Sequence, residues 1–208
     1  MKPRRRYPAY IFDFDMTLAD SLGGARKAYR RAMEAVGLKF EDAMAPTFVR
    51  ESLDHTMDRF SLSPCARREF IAAFILESHN SMGANTRLFP ETEEVIRTLR
   101  GSGARLSIAS GKRADMIKEI LDRHGLTRMF DVIVGYGDAP RPKPAPDQLL
   151  KCMSFYDLPP GDFCYVGDSP HDMQAADAAG IDGICVVRGV QPGSACRGDI
   201  SDLRQLLV

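Results

Sequence analysis

Neither sign of charge is in excess in this 208-residue sequence: Lys and Arg number 28, Asp and Glu number 28, and the formal net charge is zero. Without a global basic field, nothing draws in a nucleic-acid backbone or an anionic membrane surface, and no partner of either kind is expected. No apolar stretch approaches the ~20 residues that span a bilayer, and the first residues lack the apolar segment of a secretory signal, so a cytoplasmic location is expected. The five cysteines, Cys65, Cys152, Cys164, Cys185 and Cys196, are odd in number, widely spaced and form no C-x-x-C pair. That spacing offers no zinc or dithiol motif and predicts reduced thiols, with Cys164 and Cys185 packed inside apolar strands. The one basic cluster, Arg4-Arg5-Arg6, reads as a solvated tail.

What is present is an ordinary globular composition, 44% hydrophobic and 27% charged, long enough for one large domain or for a domain carrying a smaller insert. Tyr10-Ile11-Phe12 is a short apolar run that ends in Asp13-Phe14-Asp15, as a buried strand does at its functional end. From about residue 22 to 88 the spacing becomes helical, with Ala28, Ala32, Ala35 and Val36 on one stripe and Phe70, Ala73, Phe74 and Glu77 on another. Ser63-Pro64 reads as an N-cap with a first-turn proline, and Gly37 and Gly83 as helix stops. Beyond Phe89-Pro90 helices predicted at 92–100, 113–124, 146–156 and 172–179 alternate with strands at 105–109, 132–134, 163–166 and 183–187. Such alternation implies a parallel sheet covered on both faces by right-handed crossovers. The chain therefore divides into a core, 1–20 with 89–208, and a helical insert, 21–88, mounted where open parallel sheets bind ligands.

At the ends of the predicted strands stand Asp13, Asp15 and Thr17, then Ser110, then Lys143, then Asp168 with Asp172 close behind. Three or four acids, one ammonium and a hydroxyl, with no histidine or cysteine nucleophile among them, suit phosphoryl transfer on a hard metal. Carboxylates bind Mg²⁺, and positioned charge supplies most of the catalysis in this chemistry. A carboxylate is ionised at neutral pH and forms an acyl phosphate that water can cleave, while a second acid protonates the leaving alkoxide and activates the water. Asp13 and Asp15 can flank one phosphate because the backbone turns at the strand end.

Asp13-Phe14-Asp15-Met16-Thr17-Leu18-Ala19-Asp20-Ser21, Ile108-Ala109-Ser110-Gly111-Lys112, Arg141-Pro142-Lys143-Pro144-Ala145-Pro146-Asp147 and Gly167-Asp168-Ser169-Pro170-His171-Asp172 together resemble the four ordered motifs of the haloacid dehalogenase superfamily, in its phosphoglycolate phosphatase-like branch. The resemblance covers nearly the whole core; the insert resembles that branch in position and helical character only. It implies a Rossmann-like three-layer α/β/α fold with the first strand central and an inserted α-helical cap. It also implies a Mg²⁺-dependent phosphatase in which Asp13 is nucleophile and metal ligand. Asp15 is then the general acid/base, lending its backbone carbonyl to the metal, and Asp168 is the third metal ligand. Thr17, Ser110 and Gly111 bind phosphate, Lys143 holds the nucleophile and the transferring group, and Asp172 orients Lys143 or a metal-bound water.

Met16 stands where many relatives have glycine, leaving the chemistry intact but altering the turn. Asp15 argues against the dehalogenase branch, which lacks this acid, and against phosphonate hydrolysis. Asp147 reads as a first-turn helix acid, Lys112 as surface charge, and His55, His79 and His171 as bystanders. Arg50 is placed as a candidate for a substrate carboxylate or second phosphate, because a guanidinium binds either through two parallel hydrogen bonds. The expected substrate is a small phosphate monoester such as phosphoglycolate or a sugar phosphate. A phosphosugar mutase and a non-catalytic binding or regulatory module are the alternatives, and monomer or homodimer is left open.

Overall fold

The computed structural model describes residues 5–49, 53–188 and 199–207, with the side chains at 79 and 82–84 excepted. In chain order the elements are β1 (Ala9–Phe12), β2 (Ala19–Asp20), α1 (Leu22–Ala35), α2 (Ala45–Phe48), α3 (Leu53–Arg59), α4 (Pro64–Asn85) and β3 (Arg87–Leu88). There follow α5 (Thr92–Gly101), β4 (Arg105–Ala109), α6 (Ala114–Asp122), β5 (Val132–Val134), α7 (Asp147–Met153), β6 (Phe163–Gly167), α8 (Pro170–Ala179) and β7 (Asp182–Cys185).

Five strands form one sheet in the order β5-β4-β1-β6-β7, and each pair is parallel. β1 is central and all four of its residues are buried, which is why it reads as an unbroken apolar run rather than an alternating one. Successive side chains still alternate between faces. Tyr10, Phe12, Leu106, Ile108, Cys164 and Val166 pack with Val95, Ile96 and Leu99 of α5 and Ile117, Ile120 and Leu121 of α6. Ala9, Ile11, Ala109, Val134, Phe163 and Tyr165 pack with Leu149 and Cys152 of α7 and Ala175 and Ala176 of α8. The result is the expected three-layer α/β/α core with its first strand in the middle.

The chain divides into two compact units, one of 1–19 and 88–208, the other of 20–87; its two crossings between them, β2 and β3, pair as a two-stranded ribbon. Within the second unit α1 buries Ala25, Ala28, Tyr29, Ala32 and Met33. Tyr29 gathers an aromatic cluster, 4.9 Å from the ring of Phe74 and 5.1 Å from that of Phe48, and its hydroxyl donates to the Phe48 carbonyl at 2.8 Å. Ser63 caps α4 as expected, accepting from the Ala66 amide at 3.3 Å with Pro64 in the first turn. Gly83 does not stop that helix, which runs on to Asn85: one interior glycine costs only about 1 kcal/mol, less than tertiary packing supplies.

Cys65, Cys152 and Cys164 form no disulfide. Cys185 is disulfide-bonded, correcting the expectation of a reduced thiol there, and Cys196 lies outside the described residues. Among the described residues no helix is long and apolar enough to cross a membrane.

The core's stability rests on the sheet's two faces. Ile108, fully buried beside Phe12, is the test position: Ile108→Ala should cost about 2–5 kcal/mol, read as a lower urea midpoint with an unchanged slope.

Candidate active site

β1 delivers Asp13 at its carboxyl end, where the Asp13 amide continues the sheet by donating to the Val166 carbonyl at 2.8 Å. The chain then folds into a tight turn in which the amides of Thr17, Leu18 and Ala19 converge on the Phe14 carbonyl at 3.3, 3.0 and 3.0 Å. Met16 occupies the left-handed region with φ of 59°, a conformation that costs a residue bearing a side chain on the order of 1–3 kcal/mol and that persists only where surrounding contacts enforce it. Glycine would adopt it freely, so Met16 leaves the turn strained. Asp15 and Thr17 flank Met16. Thr17 is fully buried, and its hydroxyl has no hydrogen-bond partner among the described residues.

β4 delivers Ser110, whose amide donates to the Val134 carbonyl at 3.0 Å. Gly111 is exposed and Lys112 turns back inward. Lys112 is the clearest correction to the sequence reading: its side chain is only 2% exposed and its ammonium lies 2.9 Å from Asp15 Oδ1. It is no surface charge, because an ammonium so enclosed requires a partner, and Asp15 is that partner.

Lys143 reaches the same place from the loop before α7. Its Nζ lies 2.6 Å from Asp172 Oδ1 and 3.1 Å from Asp13 Oδ1, and donates to the Tyr165 hydroxyl at 3.0 Å. That hydroxyl is also within hydrogen-bond reach of the Ala109 carbonyl, 2.8 Å, and of Asp172 Oδ1, 3.0 Å. Burial works against the ammonium's charge, but Asp13 and Asp172 overcome it and the pKa of Lys143 is raised. Asp172 is fully buried; burial pushes its carboxyl up, but Lys143 and Ser169 more than offset this and hold it below the ordinary carboxylate value. Its second oxygen accepts from the Ser169 amide at 2.9 Å and the Ser169 hydroxyl at 2.7 Å, so Asp172 orients Lys143 and caps α8 at once. Gly167 makes room for this arrangement: a Cβ there would lie 2.5 Å from Asp172 Cβ and Cγ.

Asp168 immediately follows β6 and is 5% exposed. Oxygens of Asp13, Asp168 and Asp172 lie within 4.8 Å of one another, a grouping that can hold a metal ion. Both oxygens of Asp172 are engaged by Lys143, Tyr165 and Ser169, so Asp172 serves the lysine and the start of α8, and Asp13 and Asp168 are the carboxylates of this group that would bind a cation. Buried carboxylates grouped this closely suit a hard divalent ion such as Mg²⁺, which prefers oxygen ligands.

Asp13, Asp15, Thr17, Ser110, Lys143, Asp168 and Asp172 therefore all belong to one rim of the core, formed by the carboxyl ends of β1, β4 and β6 and the loop before α7. Asp147 is not among them; it is the first residue of α7 and pairs through both oxygens with Arg141 at 3.1 and 2.9 Å. Arg50 lies outside the described residues, as does the side chain of His79. Sequence reasoning missed two further contributors. Tyr165 could have been suspected from its polar tip inside an apolar strand. Gln148, buried and donating to the Ser110 carbonyl at 2.8 Å and the Gly135 carbonyl at 2.9 Å, ties the ends of β4 and β5 together, and no sequence signal marks it. The grooves of about 510 and 750 Å³ found among the described residues touch none of these side chains.

A parallel α/β core with aspartates, a buried lysine and hydroxyl groups at the strand ends suits a hydrolase of the phosphatase type. The chain belongs to the haloacid dehalogenase-like hydrolase family, whose family model matches residues 10–186. It is similar to a Caldanaerobacter subterraneus protein named as pyrophosphatase PpaX, 27% identical over 96% of this chain and 92% of that one. It is similar also to phosphoglycolate phosphatase of Pseudomonas syringae, 26% identical over 95% of this chain and 77% of that one. A solved structure from Bacteroides fragilis, described as a haloacid dehalogenase-like hydrolase, superposes with a TM-score of 0.89 at 31% identity, covering 97% of this chain and 100% of the other. The protein is an enzyme of this phosphatase family.

One electrostatic consequence can be measured. Burial pushes the Asp13 carboxyl from 3.8 up to about 6, with Asp172 and Asp15 adding repulsion and Lys143 opposing. Its folded pKa thus exceeds its unfolded one, so stability falls as pH rises between those two values and stays reduced above them. Without metal, Asp13→Asn should be more stable than wild type at pH 8 by on the order of 1–3 kcal/mol, the difference closing by pH 4. Urea unfolding with chelator at both pH values checks this.

Proposed function

We propose that this phosphatase hydrolyses a small-metabolite phosphate monoester through a phospho-aspartyl intermediate on Asp13. The observation that carries the reading is the buried ammonium of Lys143 held between Asp13 and Asp172, an arrangement that fixes a carboxylate and supplies positive charge beside it. Asp13 attacks phosphorus, the bond to the leaving oxygen breaks, and Asp15 gives that oxygen a proton. Asp15 then takes a proton from water as the water attacks the phosphoryl group, releasing inorganic phosphate and the Asp13 carboxylate. Lys143 and the hydroxyl groups of Thr17 and Ser110, with the Gly111 backbone, hold the phosphoryl oxygens, and the buried, unpartnered Thr17 hydroxyl supports that role. Asp13 and Asp168, with the Asp15 backbone carbonyl, would hold Mg²⁺, which supplies further neutralisation of phosphoryl charge.

In this reading Asp172 acts only through Lys143, and the inserted unit selects the substrate. Arg50 is its candidate group for a carboxylate or second phosphate. The relatives include proteins named for phosphoglycolate and for pyrophosphate, so both belong in the test. A cytoplasmic location is part of the proposal; the Cys185 disulfide, a bond uncommon in reducing compartments, runs against it, and thiol titration of protein taken directly from cells decides.

Phosphate release is measured across phosphoglycolate, hexose phosphates, nucleotides and pyrophosphate, with magnesium and with chelator. Magnesium-dependent release should fall at least ~10³-fold in Asp13→Asn, as for loss of a nucleophile; release that survives the substitution contradicts the mechanism. Arg50→Ala should change the order of preference among these phosphates by more than it changes the rate on an aryl phosphate. Equal changes on both would remove Arg50 from the specificity account.

A further inference from the structure

The turn from Asp13 to Ala19 is braced from outside by a residue that no motif marks. Arg188 follows β7, 171 positions from Thr17, and its NH2 donates to the Thr17 carbonyl at 2.7 Å. The same guanidinium pairs with Glu91 through NH1 and lies 3.8 Å from the centre of the Phe89 ring. Side-chain exposure is 9% for Arg188 and 6% for Glu91. Each partner occupies a key place. Thr17 closes the strained turn begun at Met16, Glu91 immediately precedes α5, and the Phe89 amide donates to the neighbouring Leu18 carbonyl at 3.0 Å. Thr92 donates its hydroxyl to the same Leu18 carbonyl at 2.7 Å. Within the turn three amides share the Phe14 carbonyl and the Met16 amide donates to the Ala19 carbonyl at 2.7 Å, while the Thr17 and Leu18 carbonyls are taken by these outside ties, which set the turn's placement against the core. Arg188 supplies the charged one, and a planar guanidinium can serve a carboxylate, a carbonyl and a ring at once where lysine cannot.

We infer that Arg188, charge-balanced by Glu91, is a positioning residue for phosphoryl transfer: it fixes the turn that carries Asp15 and Thr17, and so the placement of the acid and of the phosphate-binding hydroxyl. This rests on the reading of that turn given above. Reacting groups displaced by a fraction of an ångström lose rate steeply, so the clamp acts on turnover more than on substrate affinity.

The test uses Arg188→Met with Glu91→Gln, which removes both charges together, since either alone would strand a buried partner. Methionine keeps apolar contact with Phe89. With an aryl phosphate and magnesium, kcat should fall about tenfold or more, the scale of a charge-assisted hydrogen bond, while KM changes less. Arg188→Lys should fall between the double variant and wild type. In a cycle with Thr17→Ala the two losses should be strongly non-additive, because both act through one turn; losses that multiply, or an unchanged kcat with only a lower Tm, overturn the inference. Amide hydrogen exchange reads the clamp without any activity. The Thr17, Leu18 and Ala19 amides should exchange about tenfold faster or more in the double variant, with β4 and β6 amides unchanged. Unaltered exchange at the turn overturns the clamp even if the wild type proves to be a phosphatase, and faster exchange upholds it even if the wild type hydrolyses none of the phosphates tried.

Discussion

The buried ammonium of Lys143 is the contact on which the rest of the site depends. Asp13, Asp168 and Asp172 crowd one rim with oxygens within 4.8 Å, and three carboxylates so close repel one another at low dielectric. Lys143 offsets that repulsion by pairing with Asp13 and Asp172, and Tyr165 and Ser169 complete the hydrogen bonding that a buried charge requires. Asp13 nevertheless remains a reluctant anion, its pKa pushed up by burial. The protein thus spends stability to hold a carboxylate where a phosphoryl group and a cation would welcome it.

A second pairing, Asp15 with Lys112, sits beside the first. The two lysines divide the acids between them: Lys143 pairs with Asp13, the proposed nucleophile, and Lys112 with Asp15, the proposed acid/base. Neither carboxylate that would transfer groups or protons is left to bulk water, and each is anchored by an element different from its own. The parallel sheet makes this possible, because every strand in it points its carboxyl end the same way, and loops from distant parts of the sequence meet at one edge.

How much of this was legible in the sequence follows from the range of each interaction. The strands at 105–109 and 132–134 were read to the residue, since Gly103 and Gly111 bracket the first and Gly135 closes the short apolar run of the second. Asp13, Asp15 and Asp168 were legible because each stands just beyond such a run, and Lys143, in the loop past β5, through the resemblance of Arg141-Pro142-Lys143-Pro144 to a family motif. Lys112 was misread: nothing in Ser110-Gly111-Lys112 records that the chain turns inward after Gly111. Tyr165, Gln148 and Arg188 escaped notice for a related reason, since Tyr165 reaches residues 22 and 56 positions away, Gln148 13 and 38, and Arg188 97 and 171, and a hydrogen bond between distant residues leaves no local pattern. Gly83 misled because glycine inside a helix and glycine ending one look alike until the packing around the helix is known.

The central claim is covalent: Asp13 carries the phosphoryl group. Acid-quenching the wild-type enzyme during turnover of its best substrate, followed by peptide mass mapping, tests it most directly. The account predicts one added phosphoryl group on the peptide containing Asp13 and its absence from the same peptide in Asp13→Asn. A phosphoryl group mapped to another residue, or none at all in an enzyme quenched under conditions that preserve acyl phosphates and trapped faster than it turns over, would contradict it.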